Sequence, residues 1–140
     1  SSITCITHGN GVTLAADEAG GILRSTDGLT WSPVSPSPIP AGKRVADIAF
    51  GGGTFVLVAH NYVTGAYNGG ALILTSAGGL NWTDRSSGTP LESWRDLRTV
   101  AWWNGRFFAS GWYSGLMSSR DGGATFSPLS QNSLEFDAIA

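Results

Sequence analysis

Charge, sulfur and long apolar runs are all scarce in this chain. Only 13% of its 140 residues are charged, and the formal net charge is -2. That balance leaves no basic footprint, so no nucleic-acid partner is expected. No apolar run approaches the roughly 20 residues that a membrane helix needs, so no membrane insertion is expected either. Nothing near the N-terminus reads as a signal peptide, and Ser-Ser in place of Met reads as a processed, trimmed or internal start. The single cysteine, Cys5, cannot form an internal disulfide and says little about compartment. It lies in the apolar-patterned "ITCIT" and is expected as a small buried hydrophobe. Helical periodicity is missing throughout.

What is plentiful points to β-structure. There are 20 glycines and six tryptophans, and 41% of residues are hydrophobic. Low charge with many Gly, Ser, Thr and aromatic residues suits an all-β domain with many tight turns. A chain of 140 residues is long enough for one domain with a sizeable core.

The chain repeats itself. "RSTDGLTW" (Arg24 to Trp31) has two relatives, "LTSAGGLNW" (Leu74 to Trp82) and "SSRDGGATF" (Ser118 to Phe126). Asp27, Ala77 and Asp121 take the same place in this alignment, 50 and then 44 residues apart by their own numbers. Each is preceded by a second echo, beginning at Cys5, Asp47 and Thr99, in which Gly11, Gly53 and Gly105 align between apolar runs. "FDAIA" at 136–140 matches the opening run once more. Three repeats of about 1–43, 44–94 and 95–135 are therefore expected, plus one extra strand at 136–140. In the second repeat the expected strands are Arg44–Phe50, Thr54–His60, Ala71–Thr75 and Asn81–Arg85. Four short strands every 40–50 residues or so are the signature of a β-propeller blade.

These turns resemble Asp-box motifs, also called BNR repeats, of the form Ser/Thr-x-Asp-x-Gly-x-Thr-Trp/Phe. The third copy fits in full, with Ser119, Asp121, Gly123, Thr125 and Phe126. The first, Ser25, Asp27, Gly28 and Trp31, is one residue shorter. The second keeps Gly79 and Trp82 and has Ala77 in the place of the acid. The resemblance spans essentially the whole chain. It implies a propeller, and it places such turns at the blade edge, away from the active face. An Asp opening a turn accepts backbone N–H groups just beyond it, and a preceding hydroxyl completes the network. Asp27 and Asp121 are therefore read as structural, which the loss of the acid in the second copy supports.

The resemblance also tests for an enzyme. A sialidase-like site would need three arginines around a carboxylate pocket, a Tyr–Glu nucleophile pair, an acid Asp and an Arg-Ile-Pro signature. The signature is absent, and the seven arginines share no repeat phase: Arg44 aligns with Asp96 and Glu135. Asp17 and Glu18 are neighbours that would point to opposite faces of a strand. There is no Ser/His/Asp pattern, phosphate loop or metal-ligand spacing. His8 reads as a turn residue and His60 as a strand end. No catalytic residue, metal or cofactor is expected.

Binding is expected on the long loops Ser32–Lys43, Asn61–Gly70 and Ser86–Trp94 and on the "WYSG" segment at Trp112. Tyr62, Tyr67, Asn68, Trp94, Arg95, Trp112 and Tyr113 make a sugar-binding composition, although Trp94 and Trp112 also suit gaps between blades. Of the adjacent Trp102 and Trp103, one faces inward and the other outward. The expected function is a non-catalytic propeller module, lectin-like, that binds carbohydrate or a cell-surface component. An assembly module with a protein partner is the alternative, and a glycosidase remnant the third reading. Secreted, cell-surface or virion placement fits all three. Closed propellers have about four to eight blades, so own copies or the remaining blades of a longer chain must complete the ring.

Overall fold

The computed structural model describes residues 2–61, 70–87, 96–111 and 115–129. It contains three four-stranded antiparallel sheets and, among the described residues, no helix. Sheet one runs β1 (Ile3–Gly9), β2 (Val12–Asp17), β3 (Ile22–Ser25) and β4 (Ser32–Pro33). Sheet two runs β5 (Lys43–Gly51), β6 (Thr54–Asn61), β7 (Leu72–Ser76) and β8 (Thr83–Asp84). Sheet three runs β9 (Thr99–Trp103), β10 (Arg106–Ser110), β11 (Leu116–Ser119) and β12 (Ser127–Pro128). Each sheet keeps its strands in chain order, a meander closed by hairpins. The architecture is an open part of a β-propeller. The expected strands of the second repeat are all present, with ends shifted by a residue or two and the fourth trimmed to two residues.

The first hairpin of each sheet turns on a pair of positive-φ residues: Asn10–Gly11, Gly52–Gly53 and Asn104–Gly105. Asn and Gly are the residues that tolerate this geometry, and its twist matches that of the flanking strands. His8 is not in this turn. It lies in β1, opposite Thr13, because the turn takes only Asn10 and Gly11. β1 and β5 carry a register shift at equivalent points, between Ile3 and Cys5 and between Val45 and Asp47.

The core sits between sheets. Val12, Leu14 and Ile22 of sheet one meet Ile48, Phe55, Leu57 and Leu74 of sheet two. Val56, Val58 and Ile73 of sheet two meet Val100, Phe107 and Met117 of sheet three. Sheet two therefore buries both faces, and all five residues of β7 are buried. Phe55 to Ala59 of β6 and Leu72 to Leu74 of β7 are continuous apolar runs rather than alternations, as burial on both faces requires.

Close approach of the inner strands depends on glycine. A Cβ on Gly9 would lie 2.1 Å from the Phe50 ring, and one on Gly51 would lie 1.9 Å from the Trp102 ring. Trp102 thus packs inward while Trp103 is 67% exposed. Cys5 is half-buried against the first core, and burial pushes its thiol up to about 11, so it behaves as a packing group. The Ser32–Lys43 segment is not a free loop: Ser32–Pro33 form β4, and Val34 and Ile39 are buried in the first core. The 136–140 strand lies outside the described residues.

Candidate functional site

The hairpins between third and fourth strands lie side by side along one edge of the sheets. In the first, Ser25 Oγ accepts from Gly28 N–H at 2.8 Å and donates to Asp27 Oδ1 at 3.1 Å. Asp27 Oδ1 also accepts from the N–H groups of Leu29 and Thr30, at 2.8 and 2.7 Å. The third repeats this with one more residue: Ser119 Oγ accepts from Gly123 N–H at 2.9 Å, and Asp121 Oδ1 accepts from Ser119 Oγ and Thr125 N–H. The Thr125 hydroxyl donates to Asp121 Oδ2.

These donors favour the ionised form. The Thr30 and Leu29 amides hold Asp27 near 2, and the Thr125 hydroxyl and amide do the same for Asp121. A carboxylic acid that loses its proton so readily is a poor proton donor near neutral pH. Its oxygens serve the turn.

The second hairpin corrects the sequence alignment. Strand pairing makes Ser25, Ser76 and Ser119 equivalent, opposite Thr13, Phe55 and Phe107. Counting from Ser76, the residue in the acid's place is Gly78, not Ala77. Ser76 Oγ still accepts from Gly79 N–H at 2.8 Å, and Trp82 Nε1 donates to Gly79 O at 3.1 Å. Of the three aromatics, Phe126 is buried in the second core, Trp82 packs on the first, and Trp31 is half-exposed.

Between the second and third hairpins lies a cleft of about 550 Å³. Its polar wall is formed by Thr54, Thr75, Asn81, Thr83, Arg85 and Asp121. Arg85 Nε donates to Thr75 Oγ1 at 3.1 Å, which holds the guanidinium against the cleft wall. The corresponding space between the first and second hairpins is smaller, about 170 Å³, and Leu80 is part of its lining. There Arg24 reaches across to donate from Nε to Gly78 O at 2.8 Å. The Gly78 backbone carbonyl thus ties sheet one to sheet two.

Sequence reasoning missed this cleft, because it treated the hairpins only as closures. The available signal was Arg85 together with Thr83 and Asn81, a polar group beside the one hairpin without an acid.

A second polar cluster lies on the inner strands. Asp47 Oδ2 accepts from Val100 N–H at 3.0 Å and from Thr99 Oγ1 at 3.3 Å, crossing from sheet two to sheet three. Burial pushes its carboxyl up, against those hydrogen bonds. Three of the described arginines have separate partners. Arg24 is on Gly78, Arg85 on Thr75, and Arg98 is paired with Asp96 at 2.7 Å. Asp17 Oδ1 is taken by the amides of Ala19 and Gly21, at 2.9 and 2.8 Å. Among the described residues no group of His, Cys, Asp and Glu forms a metal site. The sequence-predicted ligand residues Tyr62, Tyr67, Asn68, Trp94, Arg95, Trp112 and Tyr113 lie outside the described residues.

No family model and no curated protein matches this chain. Solved structures do. YCF48 bound to D1 peptide is similar over 94% of this chain and 42% of its own, with 17% identity and a TM-score of 0.68. YCF48 from Cyanidioschyzon merolae is similar over 94% of this chain and 38% of its own, with 15% identity and a TM-score of 0.64. The native Bacillus subtilis arabinanase covers 91% of this chain with 53% of its own, at 14% identity and a TM-score of 0.53. The chain therefore spans about two fifths to one half of these proteins. At such identities the likeness shows the propeller fold alone, shared by a peptide-bound protein and by an arabinanase alike.

Proposed function

We propose that this chain is a non-catalytic β-propeller module that binds a hydroxyl-rich ligand, carbohydrate above all, or a cell-surface component. The observation that carries this reading is the cleft at Arg85. It offers amide, hydroxyl and guanidinium groups, while its one carboxylate, Asp121, is committed to its own turn. Such a site has groups to bind with and none poised to transfer a proton. The three hairpins are read as Asp-box turns that hold the blade edges, the middle one having given up its acid. The repeats are read as 1–43, 44–94 and 95–135, with 136–140 as one extra strand. Tyr62, Tyr67, Asn68, Trp94, Arg95, Trp112 and Tyr113 are proposed as a second contact surface.

A glycan array tests this. Loss of signal on Arg85→Ala with Asn81→Ala places the ligand in the cleft; loss on Tyr67→Ala or Trp94→Ala places it on the loops. Unchanged binding in both sets, or no binding by the original chain, overturns the proposal. Turnover of a fluorogenic sialoside or arabinoside would replace it with a glycosidase reading.

A protein partner is the second reading. The outer faces of sheets one and three favour it, with Ile6 63% and Trp103 67% exposed. The structure of YCF48 bound to D1 peptide supplies a propeller-fold precedent for peptide binding. The ring itself calls for protein surface, from own copies or from further blades of a longer chain.

A further inference from the structure

Both closed junctions use one device. The following sheet supplies an aromatic ring, and the preceding sheet supplies a glycine to receive it. Phe50 covers Gly9, and Trp102 covers Gly51. Each ring leans on a phenylalanine of the neighbouring strand, Phe50 on Phe55 and Trp102 on Phe107, both with centroids 4.7 Å apart.

The two open faces reverse this device. In the register of β1 and β2, His8 and Thr13 stand where Phe50 and Phe55 stand in sheet two. They are joined by a 2.8 Å hydrogen bond between Nδ1 and Oγ1 instead of a ring contact. On sheet three the glycine's place is taken by Trp103, which leans on Phe108 with centroids 6.5 Å apart. Bulk has moved from the following sheet to the preceding one. Each pairing then still combines one large ring with one smaller partner, as close packing demands.

We propose that the outer face of sheet three docks onto sheet one of a second copy of this chain, with Trp103 lying over His8 and Thr13, so that two copies close a six-bladed ring. Two further observations support this occupant. Ala101, Phe108 and Leu116 hold on sheet three the register places that Ala49, Val56 and Ile73 hold at the second junction. On sheet one the exposed Ile6 holds the place of Ile48, which is buried in the first junction. A head-to-tail contact repeated through a half-turn closes on itself, and six blades lie within the usual range.

The proposal rests on the propeller-module reading for its blades but not on any ligand, so cleft binding and ring closure fail independently. The test is sedimentation equilibrium with native mass spectrometry on the full chain across a dilution series. A species of twice 14.6 kDa is expected. His8→Phe alone sets a second ring against Trp103, and Trp103→Gly alone leaves a hole. Each is expected to raise the dimer Kd by about ten-fold or more, while the two together rebuild the inner pattern and return Kd to within about three-fold. Both positions are exposed in one chain, and near-UV circular dichroism checks that each variant is folded. A monomer at every concentration, a trimer, or a dimer whose Kd is the same in all three variants overturns the proposal.

Discussion

The hairpin from Ser76 to Trp82 and the two acidic hairpins beside it make similar turns by different means. In the outer two, a carboxylate gathers two or more donors beyond the bend. In the middle one that place is Gly78, and only the serine-to-glycine contact remains, reinforced by Trp82 Nε1 on Gly79 O. The shared element is therefore the buried serine hydroxyl, at 2.8, 2.8 and 2.9 Å from its glycine amide. The acid is an addition that can be dropped. In the middle hairpin, the Gly78 backbone carbonyl accepts from Arg24 Nε, which joins two sheets.

The largest break in this comparison comes from the aromatic that follows each turn. Phe126 is 4% exposed in the second core, so Phe126→Ala should cost about 3–5 kcal/mol in urea unfolding. Trp31→Ala should cost clearly less, since Trp31 is half-exposed; equal losses would mean that these rings do not differ in burial in solution. Next in size is the serine. Ser76→Ala strands the Gly79 amide and should cost about 1–3 kcal/mol. The loss should exceed that of Ser25→Ala, where the carboxylate still braces the turn. If Ser25 proves the more costly, the acid and not the hydroxyl is the constant element.

Smaller effects belong to the acids. Asp121→Ala should cost about 1 kcal/mol once solvent screening is allowed for. A carboxyl held near 2, against a usual 3.8, stabilises the fold above the higher value. That contribution drains as pH falls through about 2. Thermal melts from pH 5 to pH 2 should show a decline that is shallower in Asp27→Ala and shallower again when Asp121→Ala is added. Smallest of all is Gly78→Asp, which restores the acid. A Cβ there meets nothing within 4 Å, so a gain of about 0.5 kcal/mol or less is expected in the same melts. A loss would mean that the bond from Arg24 depends on the glycine.

Much of the fold was legible because it is periodic. A period of two put Trp102 and Trp103 on opposite faces, and turn residues marked every first hairpin. The alignment slipped by one at Ala77 because Thr75 and Ser76 both offer a hydroxyl, and only strand pairing says which sits beside the turn. His8 was misplaced because Gly9 looks like a turn glycine, whereas it is a strand residue that admits the Phe50 ring. The cleft was not legible at all. Its wall draws on Thr54, Arg85 and Asp121, from three separate segments of two sheets, and no local pattern announces such a neighbourhood.

The pairing of rings with glycines also carries information about sequence order. Exchanging the second and third repeats would set Trp102 against Gly9, a tolerable fit. It would also set Phe50 against Trp103, ring upon ring, and leave His8 or Thr13 no partner of matching size. Repeats that look interchangeable are thus not free to be shuffled by recombination. Each interface records which neighbour came before it, and a gene rearrangement that ignored that record would yield blades that fold locally but do not stack.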